Sequence, residues 1–439
     1  MPKFVLRVSC ALLLGTVTAV SAVTATHAAP PPSGATQLID AALAAGSASS
    51  GNVFNEGSDA SADGRFVVFG SHAIDLVPGI SAADARRGQI YLRDTAAETT
   101  TLISAAGGAA GDGPSSSPSI SDDGELVAYL TTSSNIVPGT PWGTNQAVLW
   151  SATTGDHTLV SHGWQSALRG IDYPVLALSL SGSGNAVVFE TIATDVMPGD
   201  PFVVPRPRLY TWTPTAETTM VAYDPVLSAS SPSVSSDGRY VAFVSADQHT
   251  PVPTRGVQQV YVTDTARGST ELISIDTGAT AGNGASTDPV LSADGRFVAF
   301  ESRATDLTVD PVPGTRQIFV RDRSAGLTTL ESRDSSGVLV PDAANPDLSA
   351  DGSALVFQVW TSTTTGHNSQ ILFRSRLTGA VKPVSRNGLG DAGNGDSVDP
   401  RLSPDGDYVA WTTDATNLTG DRYPAGSRGS WHTLLRNVG

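Results

Sequence analysis

The side chains that most often perform chemistry in proteins are few and scattered in this chain of 439 residues. Of the histidines beyond the N-terminal segment, only His157 and His162 lie near each other, and their spacing defines no metal-ion geometry. The chain contains no Gly-x-Ser-x-Gly elbow, no phosphate-binding loop and no dinucleotide fingerprint. Linear motifs therefore assign no catalytic residue and no metal ligand.

A recurring Asp or Asn is a weaker candidate for chemistry, because carboxylate and amide oxygens are ligands for calcium. It occurs in five of the seven repeats described below, as Asp75, Asn135, Asp195, Asp306 and Asn417. A full ligand series such as Asp-x-Asp-x-Asp-Gly is missing. We therefore favour side-chain-to-backbone turns that start a long loop, and calcium stays an alternative. No other cofactor is indicated.

Eight further side chains are candidates for binding because they fall in long, variable segments between strands: Trp142, Trp164, Tyr173, Phe202, Arg206, Arg208, His249 and Tyr423. Exposed aromatic rings stack on sugar rings or anchor a protein partner. For each residue taken singly we favour packing beneath its own loop, since aromatic residues are usually buried.

A repeated phrase organises the segments that must position these side chains. Ser-x-Asp-Gly recurs seven times, with one imperfect copy in which Ser183 replaces the aspartate. We call its glycines the motif glycines: Gly64, Gly124, Gly184, Gly238, Gly295, Gly352 and Gly406. The fifth residue after each one is aromatic: Phe69, Tyr129, Phe189, Phe243, Phe300, Phe357 and Trp411. A period of 54 to 60 residues with several strand-like runs is typical of a radially repeated all-β protein.

Each repeat predicts four strands. The Asp-Gly pair indicates a tight hairpin, and the apolar run that follows it fits a strand covered on both faces. A third strand alternates polar and apolar residues, as in residues 259–264, and a tight turn leads to a short fourth strand, as in residues 271–274. Four strands in each of seven units predict an all-β, seven-bladed propeller that fills residues 30–439.

The two ends of the chain are predicted to share the last blade. The seventh unit stops after its third strand, near residues 434–438, whereas residues 36–40 resemble a fourth strand that precedes the first unit. An N-terminal strand that joins the last three strands would close the ring and remove its exposed edges.

The repeat resembles the WD40-like propeller repeats of the TolB type, whose motif is Ser-Pro-Asp-Gly followed by a strand that ends in Ala-Phe. The closest copy is Ser403-Pro404-Asp405-Gly406 with Ala410-Trp411. The chain departs from TolB in lacking a tryptophan before the serine, in having this proline in one repeat and in lacking a separate domain before the propeller. The resemblance implies the fold, and TolB's partners are not carried over.

The N-terminus predicts a secretory signal over residues 1–29, because Lys3 and Arg7 precede a short apolar run and small residues follow it. Cleavage after Ala22, Ala25 or Ala29 stays open, and Cys10 would leave with the leader. Without Lys3 and Arg7 the chain has 24 basic and 42 acidic residues, a net charge of −18. Such a surface repels phosphate backbones, so we expect no nucleic-acid partner. No later apolar stretch is long enough to span a membrane.

These features predict a monomeric protein that is secreted or held at the cell envelope. The function that we favour is a non-catalytic propeller that binds a protein or a cell-surface glycan through its long loops. The alternative is a polysaccharide lyase or glycoside hydrolase whose active site assembles at the channel mouth from several blades, where no linear motif is expected. Whether the protein is an enzyme stays open at this stage.

Overall fold

The computed structural model describes residues 33–42, 57–137, 143–198, 206–221, 228–254, 256–363, 366–419 and 430–439. Across these residues the chain forms seven four-stranded antiparallel sheets, the blades of a β-propeller. The all-β, seven-bladed fold predicted from the repeat is thus confirmed. The leader predicted over residues 1–29 lies outside the described part of the chain.

Strand β1 (Thr36–Leu38) precedes the first blade, which consists of β2 (Ser58–Ala60), β3 (Phe66–Ser71), β4 (Gln89–Asp94) and β5 (Thr99–Leu102), with helix α1 (Ala82–Ala85) between β3 and β4. A small hairpin, β6 (Ala105–Ala106) and β7 (Ala109–Ala110), follows. Blade 2 contains β8 (Ser115–Ile120), β9 (Leu126–Thr131), β10 (Gln146–Ser151) and β11 (His157–Leu159). Blade 3 contains β12 (Val175–Leu180), β13 (Val187–Thr191), β14 (Arg208–Thr213) and β15 (Ala216–Met220).

Blade 4 contains β16 (Ser230–Val234), β17 (Tyr240–Ser245), β18 (Gln259–Asp264) and β19 (Ser269–Leu272). Blade 5 contains β20 (Ser286–Leu291), β21 (Phe297–Ser302), β22 (Gln317–Asp322) and β23 (Leu327–Leu330). Blade 6 contains β24 (Ala343–Leu348), β25 (Ala354–Thr363), β26 (Gly366–Ser375) and β27 (Val381–Pro383). Blade 7 contains β28 (Ser397–Leu402), β29 (Tyr408–Thr413) and β30 (His432–Asn437), and β1 is its fourth strand.

The ring closes as the sequence predicts, with one strand from the N-terminal end and three from the C-terminal end of the described chain. β1 pairs antiparallel with β30, which places Gln37 opposite Leu435 and Leu38 opposite Leu434. Leu38 is buried in the core of blade 7. Just beyond β1, a carboxylate oxygen of the buried Asp40 lies 2.9 Å from Nδ1 of His432. Closure therefore joins the two ends by backbone pairing, apolar packing and a buried polar contact.

The repeated phrase builds the turn between the first two strands of every blade. In all seven copies the serine Oγ accepts a hydrogen bond from the backbone N–H two residues after the motif glycine, at 2.9–3.0 Å. In six copies the same hydroxyl donates to the aspartate. The motif glycines have φ between 65° and 84°, a region that glycine enters without a steric penalty. The serine, aspartate and glycine of the motif therefore have a structural role, which is to stabilise the turn.

The seven repeated aromatic side chains are fully buried between blades. Four of them stack on the aromatic residue directly opposite on the third strand, with centroids 5.5–5.8 Å apart. Aromatic pairs of this kind stabilise a sheet beyond the area that they bury. The core is thus a series of similar interfaces between neighbouring blades.

Antiparallel order places the links between strands alternately on two faces of the disc. We call the side with the first-to-second and third-to-fourth turns the tight-turn face, and the opposite side the long-loop face. At the tight-turn face the innermost turns are joined in a ring by backbone hydrogen bonds: Ala62–Asp122, Asp122–Gly182, Ser183–Ser236, Ser236–Ala293, Ala293–Ala350, Ala350–Pro404 and Asp405–Ala62. Asp405 donates in place of Pro404, which has no N–H, and this bond is the longest at 3.4 Å.

The described helix α1 has four residues, so no helix in the described part of the chain is long and apolar enough to cross a membrane.

Candidate functional site

Two regions bring potential binding groups together: the long link between blades 2 and 3, and the central channel. Of the eight predicted binding residues, Trp142, Phe202 and Tyr423 lie outside the described residues. Trp164 and Tyr173 belong to the link of residues 160–174, and their exposed fractions are 51% and 39%. Leu168, in the same link, is 72% exposed. The two described aromatic candidates therefore present their rings to solvent.

The other three described candidates differ in exposure. Arg206 is exposed, whereas Arg208 begins β14 and is 3% exposed, so burial withdraws Arg208 from a surface site. His249 is half-buried, with its ring edge-on to Phe243 and its Nε2 3.1 Å from the carbonyl oxygen of Ser228. His249 therefore packs beneath its own loop, which is the interpretation favoured for each single residue from the sequence.

The recurring Asp and Asn residues clamp neighbouring links together. Asn135 Oδ1, for example, accepts the backbone N–H of Asp112, and Asp112 Oδ1 accepts the N–H of Ser134. Equivalent pairs join Asp172 to Asp195, Asn283 to Asp306 and Asn394 to Asn417. The favoured structural role is observed, but the bonded backbone lies on the preceding link rather than in the same turn, since the bonded residues are 23 positions apart.

The clamp of blade 3 holds the exposed aromatic residues. The backbone N–H of Trp164 donates to the carbonyl oxygen of Asp195 at 3.0 Å, and the N–H of Asp172 donates to the Asp195 carboxylate at 3.0 Å. Both ends of the aromatic link are thereby tied to one residue. Burial raises the pKa of Asp195 above its ordinary value, the N–H of Asp172 opposes this shift, and the side-chain carboxyl of Asp172 adds to it. Two acidic side chains thus support this part of the long-loop face.

The central channel holds a ring of side chains that sequence reasoning missed. The first strand of each blade contributes the residue five positions before the motif glycine: Asp59, Ser119, Ser179, Ser233, Val290, Asp347 and Arg401. They line a cavity of about 520 Å³ in which, among the described residues, Arg401 is the one basic side chain. Arg401 belongs to blade 7, and the carboxylates of Asp347 and Asp59 lie on the blades to either side.

The two ring carboxylates are engaged by the backbone of the next blade. Asp59 Oδ2 accepts the N–H of Ile120 at 3.0 Å, and Asp347 Oδ2 accepts the N–H of Leu402 at 2.8 Å. Burial raises the pKa of Asp59, and it raises that of Asp347 to about 6, although the charge of Arg401 opposes both shifts. For Arg401 burial acts to lower the pKa, but nearby carboxylates, Asp347 and Asp59 foremost, raise it overall. Arg401 is thus a cation in an acidic channel.

A second ring lies nearer the long-loop face, at the seventh position before each motif glycine. In five blades this residue has positive φ, between 48° and 54°, and precedes a proline: Ser117, Ser231, Asp288, Asn345 and Asp399. The pairing of the first and second strands shifts at these positions, as in a β-bulge. Four of the five, together with Arg401, line a cavity of about 190 Å³ at the channel mouth. The Asp-Pro and Asn-Pro pairs were the sequence signal for this ring.

Among the described residues no group of three or more His, Cys, Asp or Glu side chains is placed to hold a metal ion. The carboxylates instead accept backbone hydrogen bonds or face one another across the channel wall.

No protein-family model matches the chain, and no curated protein matches it. An oligogalacturonate lyase from Vibrio parahaemolyticus is 13% identical, with 93% of this chain and 99% of that chain covered and a TM-score of 0.55. TolB from Acinetobacter baumannii is 18% identical over 67% of this chain and 59% of that chain, with a TM-score of 0.40. A protein described as TolB from Agrobacterium tumefaciens is 14% identical over 74% and 90% of the two chains, also with a TM-score of 0.40.

This chain thus spans about 59% of the length of the Acinetobacter protein. At such identities the likenesses concern the fold alone. The chain is thus a seven-bladed β-propeller, and its repeated sequence motif resembles that of TolB-type propellers.

Proposed function

We propose that the protein is a non-catalytic binding module that acts outside the cytoplasm, secreted or at the cell envelope, and that its long-loop face binds another protein. The supporting observation is the exposure of Trp164, Leu168 and Tyr173 on one link whose backbone is anchored at both ends to Asp195. The solvent-exposed parts of large apolar side chains gain no free energy of burial in the isolated chain. They lower the free energy of association when a partner covers them.

A protein partner is favoured over a glycan by the chemistry of this link. Trp164 and Tyr173 suit either ligand, because their rings stack on sugars as well as on protein side chains. Leu168, which is 72% exposed, offers no flat face to a sugar ring but packs well on an apolar protein surface. Binding of a cell-surface glycan is therefore the alternative outcome of the test.

A polysaccharide lyase or glycoside hydrolase is not favoured. The ring carboxylates Asp59 and Asp347 are both occupied by backbone N–H groups of adjacent blades, which gives them a structural role. The similarity to the Vibrio lyase concerns the fold alone, at 13% identity.

The experiment compares the full protein with a Trp164→Ala/Tyr173→Ala double variant in capture assays on cell-envelope proteins and on a glycan array. The matched control is Leu377→Ala, which removes an apolar side chain that is 82% exposed in a third-to-fourth turn on the tight-turn face. We expect the double variant to lose at least about tenfold in affinity for the captured protein, as for a truncated aromatic anchor, and the control to bind like wild type.

Equal capture by all three proteins would contradict the proposed face. Selective binding to the glycan array would show that the ligand is a glycan and not a protein. Release of new reducing ends or unsaturated products from a polysaccharide panel would overturn the non-catalytic assignment.

A further inference from the structure

Blades 5 and 6 present different chemistry at equivalent positions of the channel mouth. In blade 6, Asn345 Nδ2 donates to Gln358 Oε1 at 2.9 Å and to Asp399 Oδ1 at 3.0 Å. Asn345 lies seven residues before the motif glycine and Gln358 lies six after it. The same two positions in blade 5 hold Asp288 and Glu301. A donor and an acceptor in one blade are thus replaced by two carboxyl groups in the other, which only accept when both are ionised.

Glu301 lacks the donor that its equivalent in blade 6 has. The side chain is 7% exposed, and its Oε1 accepts a hydrogen bond from Thr287 Oγ1 at 3.0 Å. No donor among the described residues reaches Oε2. Burial, and then the adjacent Asp288 carboxyl, raises the pKa of Glu301 to about 7. A buried carboxylate oxygen without a donor costs free energy that a bound cation would recover.

The nearest basic residue does not fill this role. Arg316 lowers the pKa of Glu301 through its charge, but its guanidinium group donates to both oxygens of Asp342, at 3.1 and 3.0 Å. It also lies 4.5 Å above the ring of Trp360. The charge of Arg316 therefore reaches Glu301, while its Nε and Nη2 donors are engaged by Asp342.

Asp288 connects this buried carboxyl pair to solvent. It lines the 190 Å³ cavity at the mouth with Asp399 and Arg401, and its φ of 48° fixes it in a bulged strand. Arg401 belongs to the deeper ring, between Asp347 and Asp59. Asp288 and Asp399 line the cavity, and Glu301 lies next to Asp288, so the carboxyl groups at the mouth outnumber Arg401. The low-dielectric walls of a cleft concentrate the field of its charges, and this excess attracts cations.

We propose that the channel mouth binds one organic cation, the ammonium group of a lysine or the guanidinium group of an arginine on the partner protein, with Asp288 and Glu301 as acceptors. A primary ammonium or a guanidinium supplies several N–H donors, which matches two facing carboxylates. The proposal rests on the proposed function in one respect, that a protein partner covers the long-loop face. It assigns the mouth a ligand class distinct from the apolar anchors on the link of residues 160–174.

The test uses small probes, so that it does not depend on identifying the partner. Binding of n-butylguanidinium and n-butylammonium to the full protein is measured by calorimetry at pH 7.5 and low salt, with n-butylurea as the uncharged counterpart. We expect both cations to bind and the urea not to. Asp288→Asn and Glu301→Gln should each weaken binding at least about tenfold, the amount expected for one hydrogen bond to a charged group.

The control variant is Asp122→Asn, which removes one negative charge from the opposite end of the same channel, where Asp122 accepts from Ser236. It should change the affinity less than about twofold, because charges farther away in a wet channel are screened. Thermal melting of each variant establishes that it is folded. Equal weakening by Asp122→Asn and Glu301→Gln, or equal binding of the urea, would overturn the proposal.

A pH series gives a second readout. The charged groups that face Glu301 are Asp288 and Arg316, and Arg401 acts on Asp288 from the deeper ring. Because Glu301 must lose its proton to accept from a cation at Oε2, affinity should rise between pH 6 and pH 8 in wild type and stay flat in Glu301→Gln. A flat wild-type profile would count against Glu301 as an acceptor.

The result separates this proposal from the proposed function. If the captured partner is lost on Trp164→Ala/Tyr173→Ala but retained on Glu301→Gln, and the probes do not bind, the binding face stands and the cation site falls. If the probes bind while no partner is captured through the aromatic link, the cation site stands without a protein partner.

Discussion

At the scale of single residues, one serine hydroxyl in each blade holds the first hairpin. Ser292 Oγ donates to Asp294 at 2.7 Å and accepts the N–H of Phe297 at 2.9 Å, and the side chain is fully buried. In blade 3 the aspartate is replaced by Ser183, and Ser181 Oγ retains the bond from the N–H of Ala186 at 2.9 Å. Blades 5 and 3 therefore allow a comparison between a serine hydroxyl that makes two hydrogen bonds and one that makes a single hydrogen bond.

We expect Ser292→Ala to lower the free energy of unfolding by about 1–3 kcal/mol, because it removes the acceptor of the Phe297 N–H and one of the two hydrogen bonds to the Asp294 carboxylate. Ser181→Ala should cost less, since one bond is lost. Urea unfolding followed by tryptophan fluorescence measures both changes. Equal costs for the two variants would show that the serine-to-aspartate bond contributes nothing to stability.

At the scale of elements, the clamps between links decide how firmly the long-loop face is held. In blades 2 and 7 the clamp includes Asn135 or Asn417, whose Nδ2 donates to the carbonyl oxygen of Ala110 or Ala392. In blade 3 Asp195 takes this position and faces Asp172. An ionised carboxylate cannot make the donor half of the clamp.

Asp195→Asn should therefore stabilise the protein at pH 7.5, by about 1 kcal/mol, which is the worth of a typical hydrogen bond. The pKa of Asp195 is raised in the fold, mainly by burial, so the stability that its proton confers is present at low pH and is lost as the pH rises through the folded-state pKa. The advantage of asparagine should consequently shrink as the pH falls towards 4, near the ordinary pKa of aspartate.

Melting temperatures of wild type and Asp195→Asn between pH 4 and pH 8 provide the measurement. Asn417→Asp is the reverse substitution at the equivalent position of blade 7, and it should destabilise at pH 7.5. A pH-independent difference between wild type and Asp195→Asn would rule out the carboxyl pair as its cause.

At the scale of the whole molecule, the disc depends on one blade made from both chain ends. β1 contributes only three paired residues. Its buried side chain is that of Leu38, which is 2% exposed. Without β1 the third strand of blade 7 would become an exposed edge, which is a template for aggregation. This short pairing, together with the buried contact between Asp40 and His432, therefore holds the closing strand in place.

Leu38→Ala should lower the free energy of unfolding by about 2–5 kcal/mol, the usual cost of a leucine-sized cavity. It should also speed limited proteolysis at residues before β2, because the closing strand detaches more readily. Thr36→Ala, which changes a half-buried side chain on the same strand, is the control and should change either measurement little. Wild-type proteolysis in Leu38→Ala would mean that closure does not depend on this contact.

The sequence alone determined the repeat, the number of blades, the four strands in each and the shared last blade. These follow from local chemistry repeated seven times: an Asp-Gly turn that needs positive φ, a serine that satisfies backbone groups, and an aromatic residue that must be buried. Closure was also predictable, because residues 36–40 match the strand that the seventh unit lacks.

Only the tertiary structure decided which side chains meet. Asp59, Asp347 and Arg401 belong to three different blades. They nevertheless share one ring, because the first strands of all blades converge on the axis. The exposed fraction also distinguishes Arg208, at 3%, from Trp164, at 51%, although the sequence placed both in long segments between strands. Exposure depends on packing between distant segments, which local sequence patterns do not encode. Asp288 and Glu301 lie on adjacent strands of one hairpin, and their pairing depends on the register between β20 and β21.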